Sequence, residues 1–532
     1  MDLNMRRLRF SAVSALALGF FAASAAGQQK PTTPEQQILE IQQLIQNHDL
    51  PGASRLLDEA GRRFPSDSGI ENLRGIVAAQ TGDYHGAEVS FTRAVHRSPR
   101  FTGAYLNLGR LYLENGGSDP QALQKALNTY NKVLTYEPQN AEANYQSAVL
   151  LMQKGAYRES LNRLGRLPRA MQDDPQQLAV ACADYAASGK HRLADASAAR
   201  LLANPEFSLA DARQMVQGLE AGKRDDLIVS IFAGLQKRTE LSSDDLRTLS
   251  TAAERAGKLP EARATLEQFV QRGNLSVASL LALARIARQQ KDFQGSLGYL
   301  AHARDLEPSN AGVHYFFGLV CLDLNLIAEA RNSFEKAVQL APENASYNYA
   351  MGAASAFRHD PAEAVPYFEK YIKLRPDDPR GKLALGAAFY RAKDFSNAIP
   401  WLVQATKTSQ TSTTAHYYLG AIALQERRLD DARTELQAAL KVDPNYSDAL
   451  AELGNYYFIQ KDYPQSGKTL EQALKIDPDH LAANFYLLNL YIRTANARRE
   501  AQTRRYDELQ KLRDQKAQEF LRMVEVRPLE NP

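Results

Sequence analysis

Proline returns every 34 residues through the C-terminal half of the chain, at Pro308, Pro342, Pro376, Pro444 and Pro478, and Gln410 holds the one beat that lacks it. Pro65 and Pro99 keep the same spacing, while Pro138 follows five residues late. A fixed period of this length marks a stacked array of short helical units. Each unit is too small to bury its own apolar face and must share it with its neighbours. Such an array grows in one dimension, so 532 residues require no division into separate globular domains.

The interior of each beat repeats as well. With Ala311 to Asn344 as the reference frame, Gly318 stands eighth, Ala330 twentieth, Phe334 twenty-fourth, Ala337 twenty-seventh and Pro342 thirty-second. The same places hold Gly352, Ala364, Phe368, Tyr371 and Pro376, then Gly386, Ala398, Leu402 and Ala405. Gly420, Ala432, Leu436, Ala439 and Pro444 follow, then Gly454, Ser466, Leu470, Ala473 and Pro478; upstream, Gly75, Ala87, Phe91, Ala94 and Pro99 obey the same spacing. Places twenty, twenty-four and twenty-seven share one helical face. Small residues at eight and twenty let two antiparallel helices approach closely. Proline, lacking a donor and restricting the residue before it, stops the second helix. Lys393-Asp394-Phe395 and Lys461-Asp462-Tyr463 supply polar turns between the two helices.

These residues resemble the tetratricopeptide repeat family, with Leu385-Gly386, Leu419-Gly420 and Leu453-Gly454 matching the first part of its pattern. Six consecutive frames from Val277 onward keep the register. The resemblance implies an all-α fold, a right-handed α-solenoid of stacked antiparallel helix pairs. The middle of the chain keeps the count, since Pro138 and Pro308 are 170 residues apart, five periods. Ala148 and Ser160, Cys182 and Ala194, and Ser250 and Ala262 fall on the small places; only the frame near Leu209 offers Val216 and Ile228 there. That frame is expected to pack less closely or at a different angle. The first frame has Ile41 in place of glycine, and Glu114 to Pro120 reads as a lengthened loop.

Fourteen frames fit between about Pro34 and Arg513. The expected organisation is a signal peptide (1–27), a short linker (28–33), a degenerate array (34–276), a regular array (277–480), and a last pair with a long charged helix and tail (481–532). The charged helix suits a cap on the apolar stack; a partner-binding tail is the other reading. Arg6, Arg7 and Arg9 precede an apolar stretch from Phe10 to Ala22 and small residues to Gly27, the layout of a secretory signal with cleavage near Ala25 to Gly27. An uncleaved anchor is the alternative. The expected location is therefore the periplasm or cell envelope of a bacterium, or outside it. No membrane span is expected after cleavage.

A net charge of +3 with interleaved acids and bases leaves no basic stripe for nucleic acid. Cys182 and Cys321 lie four frames apart at helix-packing places. Helices ~8–10 Å apart in a stack put them beyond the ~7 Å Cα limit for a disulfide, so both read as buried small apolar residues. Histidines show no metal-ligand spacing, and His314 and His416 fall on the fourth, packing place. Gly467-Lys468-Thr469 lacks the glycine a phosphate loop requires, Asp462 standing there, and lies inside a second helix. No catalytic residue, metal or cofactor is expected.

Places four, seven, eight and eleven of the first helix face the core, while two, five, nine, twelve and thirteen form a second stripe. In tetratricopeptide arrays that stripe lines the concave surface, and the resemblance implies the same here. The candidate partner-binding residues are Tyr315, Tyr349, Phe357, Tyr390, Arg391, Tyr417, Asn455, Phe458, Phe485, Asn489 and Arg493. Aromatic rings with amide and guanidinium groups can bury an extended peptide and bond its backbone; rings packed only on the next frame would be structural. The family's carboxylate-clamp lysine at the fifth place is replaced by tyrosine, which does not support binding of chaperone tails. The expectation is a non-catalytic scaffold for a protein or peptide partner in the envelope. The alternative is a saccharide-binding accessory of polysaccharide export.

Overall fold

A computed structural model describes residues 33–116, 119–357 and 361–525, with the side chains of 357, 361 and 513–525 excepted. The expected signal peptide lies outside the described residues. Among these residues every regular element is helical, and twenty-eight α-helices make fourteen consecutive pairs from Pro34–Gln46 with Leu50–Arg63 to Leu481–Arg493 with Arg499–Glu525. This is an all-α solenoid. Its chain falls into two compact units, Met1–Thr265 and Leu266–Pro532.

Each pair is punctuated by local chemistry. The fifteenth residue turns left-handed, as Gly155 (φ 76°) and Gly189 (φ 74°) in the first unit, and as Lys393 (φ 58°) and Lys461 (φ 63°) in the second. Where the next residue is aspartate, it caps the second helix: Asp83 accepts from the Gly86 N–H at 2.9 Å, Asp292 from Gly295 at 2.9 Å and Asp462 from Gln465 at 3.2 Å. The Lys-Asp-aromatic turns read from sequence are thus a left-handed residue, an N-cap and a first helical residue.

The glycine at the eighth place faces the residue at the twenty-fourth. A Cβ on Gly318 would lie 2.5 Å from the Phe334 ring, and one on Gly454 would lie 2.6 Å from Leu470. Phe91, Tyr130 and Phe334 are completely buried in this way. Where serine holds the twentieth place, its hydroxyl donates to the eighth-place carbonyl: Ser160 to Ala148, Ser296 to Ala284 and Ser466 to Gly454, each at 2.8 Å. At several frame junctions a fourth-place side chain satisfies the carbonyl of the proline. Asn144 Nδ2 donates to the Pro138 carbonyl and Asn348 Nδ2 to Pro342, both at 2.9 Å. His314 Nε2 meets Pro308 at 2.8 Å, and His416 Nδ1 lies 2.6 Å from Glu435. Without a proline at Gln410, the helix Phe395–Ala405 ends early and the next one, Ser409–Gln425, starts early and runs 17 residues.

The frame at Leu209 differs as its sequence suggests, and by a specific substitution. Helix Leu209–Ala221 lies mainly against Pro175–Ala187, the preceding first helix, rather than against its own partner Asp225–Gln236. Gly218 and Gly222 make this possible, since a Cβ there would meet Ala183 Cβ at 2.7 Å and the Ala186 carbonyl carbon at 2.5 Å. The small residues have moved from the intra-pair seam to the seam between first helices. Cys182 and Cys321 are buried free thiols, and burial pushes each up to about 12.

Candidate functional site

The candidate residues all belong to the second unit, and there the structure separates them into two groups. Tyr315 and Tyr349 are half-buried, and each packs on other rings. The Tyr315 ring lies 4.8 Å from Tyr347 and 5.8 Å from Phe334; Tyr349 lies 4.9 Å from Tyr371 and 5.6 Å from Phe368. Phe357 is outside the residues whose side chains are described. Phe458 packs on Tyr463 at 5.9 Å, and Arg493 Nε donates to the Tyr463 hydroxyl at 3.5 Å. Phe485, 41% exposed, meets Tyr506 of the terminal helix at 5.6 Å, while Asn489 is half-buried. The terminal helix is further fixed by Gln502 Nε2 donating to Asn484 Oδ1 at 2.8 Å and by buried Leu509.

The second group is polar and runs across four successive first helices, Pro379–Arg391, Ser409–Gln425, Ser447–Ile459 and Leu481–Arg493. Tyr390 contacts Tyr418 at 5.1 Å, and Tyr417 contacts Tyr418 at 5.0 Å and Tyr446 at 5.7 Å. Gln425 Nε2 donates to the Tyr390 hydroxyl at 3.0 Å. Arg391 Nη1 donates to the Ala356 carbonyl at 3.4 Å. At the centre is Glu452, which sequence reasoning missed. The Tyr486 hydroxyl donates to its Oε1 at 2.9 Å, and Asn455 Nδ2 donates to its Oε2 at 3.4 Å. Burial raises the Glu452 carboxyl above the usual carboxylate range. Burial also pushes Tyr390 up to about 12 and raises Tyr417 and Tyr486, with the Glu452 charge adding to the rise in all three. One turn before Glu452, Asp448 accepts from His480 Nε2 at 3.1 Å, which holds the imidazole above its ordinary value.

Tyr418, Glu452 and Tyr486 share the sixth place of their frames. Places two, six, nine and thirteen advance by four, three and four, so they make as good a helical stripe as the one chosen from sequence. The recurrence of polar or aromatic residues at the sixth place was the available signal.

Among the described residues no group of His, Cys, Asp and Glu side chains could hold a metal ion, and no helix is long and apolar enough to cross a membrane. The helix pairs define a helical-repeat solenoid. Family models described as tetratricopeptide repeat match residues 72–125, 119–181, 247–311, 311–344, 349–413 and 417–480. The chain belongs to the tetratricopeptide repeat family, whose fold is generally a non-catalytic scaffold for protein–protein interaction. No match was found among curated proteins. Similar solved structures include a tetratricopeptide repeat protein from Parabacteroides merdae, 14% identical, covering 47% of this chain and 98% of that one with a TM-score of 0.41. Yeast Tom70 is 15% identical, with 86% and 95% covered and a TM-score of 0.36. YrrB, described as a TPR protein with an unusual peptide-binding site, is 23% identical, with 35% and 95% covered and a TM-score of 0.28.

Proposed function

We propose that this protein is a non-catalytic scaffold of the bacterial cell envelope that holds an extended segment of a protein partner on the first helices of its second unit. The observation that carries the reading is the run of half-buried phenols, amides and carboxylates from Tyr390 to Tyr486. It combines large rigid aromatic surface with donors and acceptors able to pair with a peptide backbone. The envelope location rests on the basic-apolar-small order of residues 6–27.

The test is site-specific crosslinking in cells with a photoreactive residue at Gln425, comparing the wild-type background with Tyr390→Ala plus Tyr417→Ala. Capture of a defined protein, lost in the double variant while its helical circular dichroism is retained, is the expected result. A glycan screen run beside it gives the competing result: saccharide binding lost in the same variant, with no protein captured, would replace this reading. Fractionation that leaves the full chain in the cytosol would remove the envelope from it.

A further inference from the structure

Glu452 is a carboxylate without a cation. Among the described residues no lysine or arginine forms an ion pair with it, although arginine–carboxylate pairs recur at other frame junctions. Arg288 pairs with Asp323, and Arg331 with Glu363. Its two donors, Tyr486 and Asn455, are neutral, and a carboxylate can accept about four hydrogen bonds. The ionised groups acting on it are His480, which favours its charge, and Asp448, which opposes it. Partial burial already disfavours the charged form. The surroundings are the phenols of Tyr390, Tyr417 and Tyr486, each of which feels the carboxylate. Aromatic faces beside a partly desolvated carboxylate suit a cation, through ring quadrupoles and a charge-assisted bond together. An acidic peptide would meet Asp448 and Glu452 with like charge, and a neutral one would leave Glu452 unpaired.

We infer that Glu452 anchors an arginine or lysine side chain of the bound segment, so that the partner presents a basic residue over the helix Ser447–Ile459. This rests on the peptide-groove reading above and names the chemistry of its occupant. Guanidinium is the better fit, because its planar fork can use both carboxylate oxygens and also stack on tyrosine. Binding strengthens as pH rises through the Glu452 titration, since the cation favours the ionised carboxylate. His480 acts both ways as it loses its proton, since its charge favours the ionised Glu452 but repels an incoming cation, while Tyr390, Tyr417 and Tyr486 keep their protons throughout.

The experiment selects binders to the full chain from a displayed random dodecapeptide library. The best peptide is then synthesised with its basic residue intact or replaced by citrulline, the neutral shape-match of arginine. The basic peptide is expected to bind wild type about tenfold tighter than the citrulline peptide near pH 8, and the ratio falls to about one in Glu452→Gln. Equal binding of the two peptides to wild type overturns the inference, and it needs no folded variant. If both then lose binding in Tyr390→Ala plus Tyr417→Ala, the groove itself stands. Binding that survives the double variant, or a library that yields no binder, overturns groove and anchor together.

Discussion

Asp184 occupies the tenth place of its frame, where other frames carry Val320, Ala354, Ala388, Ile422 and Leu490. It is 0% exposed, and neither carboxyl oxygen has a hydrogen-bond partner among the described residues. Burial drives its titration from an ordinary 3.8 up to about 8. The Ser160 hydroxyl, which opposes that rise, already donates to the Ala148 carbonyl. The folded value lies above the unfolded one, so both states are protonated at acid pH and no penalty applies there. Between the two values the unfolded chain ionises while the native chain keeps its proton, and stability falls as pH rises. At about 1.4 kcal/mol per unit, the loss at pH 7 is on the order of 4 kcal/mol. Asp184→Asn removes this slope. Burying the amide costs about 1–3 kcal/mol, so a net gain of about 1–3 kcal/mol at pH 7 is expected. Hydrogen exchange of helix Pro175–Ala187 between about pH 5 and pH 8, corrected for intrinsic rates, measures local opening directly. It suits an array in which global two-state behaviour is not assured. Wild-type protection free energy that stays flat over this range, or an Asp184→Asn variant less stable than wild type near pH 8, would refute the assignment.

Two further perturbations test the frame itself. Gly318→Ala places a Cβ 2.5 Å from the Phe334 ring, and overpacking should cost about 1–3 kcal/mol; exchange should quicken in Ala311–Asp323, Ile327–Leu340 and their immediate neighbours, and uniform loosening of the chain would contradict nearest-neighbour coupling. Lys461→Gly relieves a left-handed residue at φ 63° and should raise stability by about 0.5–1 kcal/mol after the entropy of the unfolded glycine is counted; a lowered denaturant midpoint would show that the lysine side chain matters more than its backbone.

The repeat was legible because its determinants are local. Gly318 and Phe334, or Asp394 and the turn before it, lie within one frame, and each choice is dictated by contacts at fixed short separation. The groove was less legible. Tyr315, Tyr349, Tyr390 and Tyr417 look alike in sequence and are alike half-buried rings in contact with other rings, while Glu452 lies off the stripe they define. Two stripes on a helix, one through place five and one through place six, differ by about 100° of rotation, and only the packing of neighbouring frames decides which is exposed. Gly218 and Gly222 were not legible for a related reason: the small places of the other frames lie on the seam within a pair, while the close seam here lies between pairs.

The frame junctions of the first unit show what makes Glu452 unusual. Arg110 grips Glu142 with two bonds, Nε to Oε1 at 2.7 Å and Nη2 to Oε2 at 2.6 Å. Arg213 holds Asp245 in the same forked geometry at 2.7 and 2.6 Å. There the arginine of one first helix neutralises the carboxylate of the next, and the junction has little charge left to offer a partner. At Glu452 the neighbouring frame supplies Tyr486 instead of an arginine. A phenol can orient a carboxylate but cannot neutralise it, so the charge remains available on a face already lined with aromatic rings. The same 34-residue unit therefore has two uses for an acid on its first helix: paired with arginine it ties frames together, and paired with tyrosine it leaves a charge for another molecule to meet.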